Sequence, residues 1–273
     1  MSRREMVERL ASLAAVAVGG ANAAKAADDA LPPAHDMSAM PAHWMGKEQI
    51  AFLIYPGFTA LDMVGPHYML TNLMGATTHI VARTKEPVTS DTGLIFMPSA
   101  SFAECPADLD IICVPGGTTG TLKAIEDEAT IEFLRDRGRR AKFVTSVCTG
   151  SLVLAAAGLL DGYRATSHWI TRPLLSKFGA VPVDARMVRD RNRITGAGVT
   201  AGIDFGLDMI GQLRDRPYAE AVQLLAEYQP EPPFDAGTPQ RAPKEAVETL
   251  QAMFPGFLAN VEAAVSKARL SIR

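Results

Sequence analysis

The sequence predicts an α/β fold in which an open, mostly parallel sheet carries helices on both faces. Residues 50–55 form an uninterrupted apolar run, which is typical of a strand covered on both faces. Strand-like and helix-like segments alternate along the chain without internal repeats. At Cys148 a β-branched segment, residues 142–147, turns abruptly into a segment rich in alanine and leucine, which indicates a strand followed closely by a helix.

The predicted elements follow one another from residue 49 onward. Pro66 suits the first turn of a helix that follows the first strand, and residues 91–93 suit the turn of a hairpin over 88–96. Strands are predicted at 50–55, 79–83, 109–114, 142–147, 163–167, 186–190 and 193–195. Further helices are predicted at 129–140, from 151 to near 158, at 171–178, 201–213 and 219–227, and at about 243–269.

The first 27 residues are typical of an export signal. Arg3 and Arg4 precede a mild apolar run, and small residues suited to signal cleavage follow it. The paired arginines favour the twin-arginine route and a periplasmic protein, with an ordinary Sec signal or an amphipathic helix as the alternatives. The apolar run is too short for a membrane span, so we expect no stable membrane insertion after the signal is removed.

Three further segments are expected. Residues 28–48 are rich in Pro, Ala, Met and His, which favours a flexible linker, although such soft ligands in an exported segment could also bind copper. Residues 49–228 form the predicted α/β domain. Residues 229–273 are Pro-rich at first and then contain one amphipathic helix, which we expect to pack on the domain or on a partner subunit.

Composition argues against several classes of protein. The net charge is −3 and no basic block is present, so nucleic acid is not an expected partner. Cys105, Cys113 and Cys148 do not suggest a disulfide framework. Five scattered histidines give no spacing typical of zinc, so no metal site is predicted in the domain.

Cys148 is the principal candidate for chemistry. A cysteine on a tight strand-to-helix turn, with a small residue two places on, is typical of a nucleophile elbow. The amide groups and the dipole of the following helix would favour the thiolate. A buried cysteine of the core is the alternative, because most cysteines are of that kind.

Asp62 and the pair Gly116-Gly117 also follow strands, so they are expected at the sheet edge where ligands bind. Asp62 is either a capping residue or a proton shuttle whose pKa burial would raise. The two glycines form either a simple turn or a nest of amide groups. Beside Cys148, the amides of Gly117 and Thr149 are expected to form an oxyanion hole.

Two histidines lie near these segments. His67 follows Pro66 and either lines the same pocket or belongs to the packing of the helix. His168 precedes Trp169 at a strand end and is not followed by the glutamate of an amidotransferase triad, so a structural role is favoured.

Several sequence blocks together resemble the ThiJ/PfpI superfamily, and within it the isonitrile hydratases. The blocks lie at 61–67, 112–117, 145–154, 165–169 and 200–205, and the likeness continues at 232–237. The resemblance implies a flavodoxin-like three-layer sandwich, a homodimer, and no metal or organic cofactor. It also implies Cys148 as nucleophile with Asp62 and Thr149 as catalytic partners. Protease-like and glyoxalase-like members carry His after the cysteine and Glu at the acidic position, whereas this chain has Thr149 and Asp62.

The expected activity is therefore a hydro-lyase reaction, the hydration of an isonitrile by water to an N-substituted formamide. Two other functions stay open. One is a redox or stress sensor that uses Cys148 without catalysis. The other is the ligand-binding domain of a transcription regulator, which the export signal and the lack of a helix-turn-helix pattern after residue 240 disfavour.

Overall fold

The computed structural model describes residues 40–271, with side chains described up to residue 264. The predicted export signal at 1–27 and most of the predicted linker, residues 28–39, lie outside the described residues. Within 40–271 no helix has the length and apolar character needed to cross a bilayer.

Seven strands form the central sheet in the order β10-β11-β7-β6-β1-β2-β5. All neighbours are parallel except the edge pair β10 and β11. The strands are β1 Gln49–Leu53, β2 Thr77–Ala82, β5 Ala100–Ser101, β6 Ile111–Val114, β7 Phe143–Val147, β10 Met187–Asp190 and β11 Arg193–Gly196. Two small ribbons lie outside the sheet: β3 Val88–Thr89 with β4 Ile95–Phe96, and β8 Arg164–Ala165 with β9 Val181–Pro182.

Helices cover both faces of this sheet, as predicted. Their bounds are α1 Ala60–Leu70, α2 Thr119–Glu126, α3 Glu128–Arg140, α4 Gly150–Ala156, α5 Ala201–Leu213, α6 Arg216–Leu225, α7 Lys244–Ala252 and α8 Pro255–Ser271, with short 3₁₀ helices at Ala42–Trp44 and Arg172–Phe178. Helix α1 packs on α5, and α5 packs on α6, while α4 packs with α2 and α3. The central strands between these two groups are buried, so the fold is a flavodoxin-like three-layer sandwich.

Helix α1 begins earlier than the sequence suggested. It starts at Ala60 rather than near Pro66, so Asp62 lies in its first turn and the proline lies inside the helix. Close packing against α5 holds this helix, because a Cβ atom on Gly202 would lie 2.6 Å from Cδ of Pro66. The extra turn brings the Asp62 carboxyl next to the amide of Gly116, which follows the end of β6.

Other boundaries also differ from the prediction. Helix α2 was not predicted, and the segment predicted as a helix at 171–178 is a 3₁₀ helix. The single helix predicted at about 243–269 is two helices, because Pro255 cannot continue a helix and begins a new one. Helix α8 packs against α2, and its Val261 is fully buried, so the tail belongs to the domain.

The last residues of the predicted linker are also part of the fold. The Trp44 ring lies edge-on to Tyr218, with centroids 4.8 Å apart, and its Nε1 donates to Asp215 at 2.9 Å. Arg214 forms a buried ion pair with Glu48 at 2.6 Å. Residues 41–48 therefore belong to the folded domain and not to a flexible linker, because buried ring packing and charge pairing fix them in place.

Candidate active site

Cys148 occupies a strained turn between β7 and α4. Its φ angle is +57°, in the left-handed region that non-glycine residues seldom adopt. Backbone contacts hold this conformation: the Cys148 amide donates to the carbonyl of Gly196 at 3.0 Å, and its carbonyl accepts from Ser151 and Ser167, each at 3.1 Å. A Cβ atom on Gly150 would lie 2.2 Å from the Val114 carbonyl oxygen, so only glycine fits there. This geometry is that of a nucleophile elbow.

Asp62 lies at the same edge of the sheet and is fully buried. Its Oδ2 accepts a hydrogen bond from the amide of Gly116 at 2.8 Å, whereas its Oδ1 has no hydrogen-bond partner among the described residues. Burial raises the pKa of Asp62 to about 7 against the lowering effects of the Gly116 amide and the Cys148 thiol. A carboxyl group with this pKa gains and loses a proton near neutral pH.

Thr149 is held by the glycine that follows Gly116. Its hydroxyl donates to the carbonyl of Gly117 at 2.8 Å, and the Gly117 amide donates back to Thr149 Oγ1 at 3.0 Å. We therefore do not assign the Gly117 amide the oxyanion role that the sequence suggested, because this N–H group already has an acceptor. The Gly116 amide likewise has an acceptor already, because it donates to Asp62 Oδ2. The two glycines position the acid and the threonine.

The expectation of a resting thiolate at Cys148 is not supported. Burial and the neighbouring Asp62 charge raise the pKa of Cys148 well above its ordinary value. The amide and hydroxyl of Thr149 oppose this rise but are smaller effects. Helix α4 has only seven residues, and burial of Cys148, which is 8% exposed, is the largest effect on this pKa. Cys148 therefore rests as a thiol beside a carboxyl group that can accept its proton.

The two candidate histidines occupy different positions. The His67 ring lies edge-on to Phe52 with centroids 5.0 Å apart, and we find no contact between this ring and Cys148 or Asp62 in the described part of the chain. The His168 carbonyl accepts from the amide and the hydroxyl of Thr171. Burial lowers the pKa of both rings. These contacts are made by the His168 backbone, so the structural role favoured for its ring and a role for His67 in the site both stay predictions.

Three residues that sequence reasoning missed lie around the site. Thr121 Oγ1 is 2.8 Å from Thr149 Oγ1, and the Tyr55 hydroxyl lies 3.4 Å from Thr121. The carboxyl of Asp91 accepts from the Thr59 hydroxyl at 2.6 Å, directly before α1. Asp91 lies in the predicted hairpin turn. That turn was sufficient to explain an aspartate at this position, so the sequence did not mark Asp91 as part of the site. Thr121 has no signal, because it belongs to the helix that was not predicted.

A separate cavity of about 350 Å³ opens at the carboxyl ends of β1 and β2. Ile54, Val88, Phe102 and Ala124 give it an apolar lining, and Tyr55 forms part of its wall. Cys148 and Asp62 are not among the lining residues. This cavity is therefore distinct from the elbow site.

This architecture matches that of a known protein family. The family model of the DJ-1/PfpI family matches residues 48–212, which include the elbow, Asp62 and both glycines. The chain belongs to the DJ-1/PfpI family. Similarity to a crystal structure of a ThiJ/PfpI family protein from Pseudomonas syringae agrees with this: 54% identity, a TM-score of 0.81, and coverage of 88% of this chain and 98% of that one. The resemblance to the ThiJ/PfpI superfamily is thereby confirmed.

The named relatives of this chain include an enzyme, a transcription regulator and a DJ-1 protein. The chain is 50% identical over 200 residues to the isonitrile hydratase of Pseudomonas putida, covering 73% of this chain and 87% of that enzyme. It is 31% identical over 198 residues to the HTH-type transcriptional regulator GbdR of Pseudomonas aeruginosa, but spans only 53% of that regulator. Drosophila melanogaster DJ-1beta, at 21% identity and a TM-score of 0.61, shares the fold.

Proposed function

We propose that this protein is a hydro-lyase that converts isonitriles, R–N≡C, to N-substituted formamides with Cys148 as nucleophile. The observation that carries the proposal is the buried pair of Cys148 and Asp62, in which burial raises the pKa of the acid to about 7. Such an acid can donate and accept protons in one catalytic cycle at neutral pH. The similarity to an isonitrile hydratase over most of the domain supports the choice of substrate.

The first step makes one carbon–sulfur bond. The Cys148 sulfur attacks the terminal carbon of the isonitrile, while ionised Asp62 takes the thiol proton. Asp62 then gives this proton to the same carbon. The product is a thioimidate, R–N=CH–S–Cys148, which contains the substrate together with the sulfur and the proton of the thiol. The unpartnered Oδ1 of Asp62 is the oxygen available for this transfer.

The second step consumes water. Ionised Asp62 accepts a proton as the water oxygen attacks the thioimidate carbon, and that proton passes to the nitrogen. The adduct, R–NH–CH(OH)–S–Cys148, collapses to the formamide R–NH–CHO. The C–S bond breaks, and the hydroxyl proton returns to the sulfur through Asp62. One isonitrile and one water thus give one formamide and the free thiol, and the balance requires no cofactor.

Thr149 supports the sulfur during both steps. The large effects on the pKa of Cys148 are burial and the Asp62 charge, which raise it, and the amide and hydroxyl of Thr149 act against them. The Thr149 amide, and the hydroxyl once its proton turns from the Gly117 carbonyl to the sulfur, therefore stabilise the negative charge that develops on sulfur. The Gly117 amide keeps the Thr149 hydroxyl oxygen in position, and the Gly116 amide does the same for Asp62.

An assay of the purified protein with a small panel of alkyl and aryl isonitriles tests the proposal. We expect formamide to accumulate with the parent protein. Cys148→Ser should abolish turnover and keep the fold, because no strong base is present to activate a serine. Cys113→Ser is the matched control, since Cys113 is likewise a buried free thiol and lies on strand β6, outside the elbow turn. Absence of formamide with the parent protein would refute the proposal and leave the sensor hypothesis.

We also propose that two copies of the chain form a homodimer. Helix α1 exposes Leu61, Val64 and Tyr68 at helical spacing beside Asp62, and their exposed fractions of 43%, 39% and 46% are large for apolar side chains. Light scattering of the purified protein should give twice the chain mass. Val64→Lys should give monomers, and an unchanged mass of the variant would exclude this helix as the interface.

For the N-terminus, we infer export to the periplasm through residues 1–27, which lie outside the described residues. The support is the paired Arg3 and Arg4 before an apolar run. Mass spectrometry of periplasmic protein should find a chain that lacks about the first 23 to 27 residues. Arg3→Lys combined with Arg4→Lys should trap the precursor, and an unprocessed protein confined to the cytosol would contradict the inference.

A further inference from the structure

A row of buried hydroxyl groups leads away from the elbow into the domain. Thr149 Oγ1 lies 2.8 Å from Thr121 Oγ1, which in turn lies 3.4 Å from the Tyr55 hydroxyl. Tyr55 donates to the Pro115 carbonyl at 2.6 Å. The exposed fractions of Thr121, Thr149 and Tyr55 are 0%, 5% and 6%, so these hydroxyl groups depend on one another for hydrogen bonds.

The hydrogen bond between Thr121 and Thr149 has a defined direction, because each hydroxyl group has one proton to donate. The single hydroxyl proton of Thr149 is donated to the Gly117 carbonyl, so Thr149 cannot also donate to Thr121. The single proton of Tyr55 is donated to Pro115. The Thr121 hydroxyl must therefore donate to Thr149 Oγ1. That oxygen accepts a second hydrogen bond from the Gly117 amide, so both of its lone pairs are occupied.

We propose that Thr121 is a positioning residue, which holds the Thr149 hydroxyl oxygen in the place that the chemistry at Cys148 requires. The inference rests on the proposed function, since it concerns the same sulfur. In the structure the Thr149 hydroxyl donates to the Gly117 carbonyl. When negative charge develops on the neighbouring sulfur, this proton can turn to the sulfur, while Thr121 and the Gly117 amide still hold the oxygen. The hydrogen bond that Thr149 accepts from Thr121 also polarises the Thr149 hydroxyl and makes it a better donor to a thiolate.

Loss of the Thr121 hydroxyl has a specific consequence. Thr149 Oγ1 would be left with a free lone pair in a dry environment, and only the Gly117 amide would hold it beside the sulfur. Burial is the largest cause of the raised pKa of Cys148, and Thr149 opposes it. A weakened Thr149 donor should therefore raise the pKa of Cys148 further and slow the steps in which charge develops on sulfur.

The test compares three variants of the full chain. Thr121→Val removes the hydroxyl and keeps the shape, and Thr121→Ser restores it. Thr145→Val is the matched control, because Thr145 is fully buried and its hydroxyl donates to the Ile112 carbonyl at 3.1 Å, with no link to Thr149. Two quantities are measured: kcat and KM for isonitrile hydration, and the pH dependence of Cys148 alkylation by iodoacetamide. If Thr121→Val does not fold, Thr121→Ala takes its place.

We expect Thr121→Val to lower kcat by roughly threefold to tenfold, the usual effect of one hydrogen bond, with little change in KM. Its alkylation profile should move to higher pH, and Thr121→Ser and Thr145→Val should behave like the parent protein. A parent-like kcat and alkylation profile in Thr121→Val would overturn the inference. A shifted profile in a protein that forms no formamide would refute the proposed function and leave the role of Thr121 supported.

Discussion

The raised pKa of Asp62 implies that this acid destabilises the protein at neutral and alkaline pH. Burial raises the pKa from the ordinary value of 3.8 to about 7. Between these values the folded state binds more protons at this site than the unfolded state, so stability falls as pH rises. Well below pH 3.8 both states are protonated at this site and the penalty is absent. Above about pH 7 the full penalty is present.

Asp62→Asn removes this penalty, because an amide of the same shape does not ionise. The interval between 3.8 and about 7 corresponds to at most about 4 kcal/mol, at about 1.4 kcal/mol per pH unit. The variant should therefore gain up to this much stability relative to the parent protein at alkaline pH. The gain should shrink towards zero as the pH approaches 4, apart from a constant difference due to the amide itself.

Urea unfolding of the parent and the variant at about pH 4.5 and about pH 8 measures this difference. Asp108→Asn is the control, because it makes the same chemical change in a side chain that is 89% exposed. A stability difference between parent and Asp62→Asn that is the same at both pH values would refute the assignment of a buried, titrating acid. The same variant should lose isonitrile hydration on the order of a hundredfold or more, since an amide cannot shuttle protons.

Three further predictions concern the surroundings of this acid. Asp62→Glu should retain little activity, because a displacement of about one ångström can cost ~10²-fold. Gly116→Ala should lower both activity and stability, because the added Cβ atom would lie 2.5 Å from Thr149 Oγ1 and 2.8 Å from Asp62 Oδ2. Asp91→Asn should move the acidic limb of the pH–rate profile to lower pH, because the Asp91 charge adds to burial in raising the pKa of Asp62. Steady-state kinetics across pH check all three, and parent-like profiles would contradict them.

The features that could be predicted from sequence have local signals. The elbow combines a β-branched strand, a cysteine and small residues before a helix, and the structure confirms strand β7 and helix α4 around Cys148. The meeting of Asp62 with the elbow follows from topology, since β1, β6 and β7 are adjacent and parallel and their carboxyl ends share one edge.

Other features depend on contacts between distant segments and could not be predicted. The Gly117 amide is not available to substrate because the Thr149 hydroxyl, 32 residues later, accepts from it. The expected thiolate rested on the dipole of the local helix, whereas burial by several segments of the fold is the largest cause of the raised pKa of Cys148. Residues 41–48 have a linker-like composition, but the side chains that hold Trp44 and Glu48 come from residues 214–218.

The sensor and the enzyme hypotheses differ in what a more reactive sulfur should do. A sensor needs an accessible thiolate, and its oxidation should become faster whenever the pKa of its cysteine falls. After burial, the Asp62 charge is the largest cause of the raised pKa of Cys148, so Asp62→Asn should lower this pKa. We therefore predict faster alkylation and peroxide oxidation of Cys148 in this variant than in the parent protein at about pH 8, where Asp62 is ionised.

Hydration should change in the opposite direction in the same variant. The enzyme needs Asp62 to carry protons to carbon and from water, and a better nucleophile does not replace that transfer. Cys148→Ser, which lacks this thiol, gives the background rate in the alkylation and peroxide-oxidation assays. If alkylation and oxidation become faster while hydration is lost, then burial and Asp62 together keep the Cys148 thiol protonated. The reaction would nevertheless require Asp62. If hydration instead rose together with thiol reactivity, Asp62 would not be the proton carrier, and the mechanism proposed for this site would be wrong.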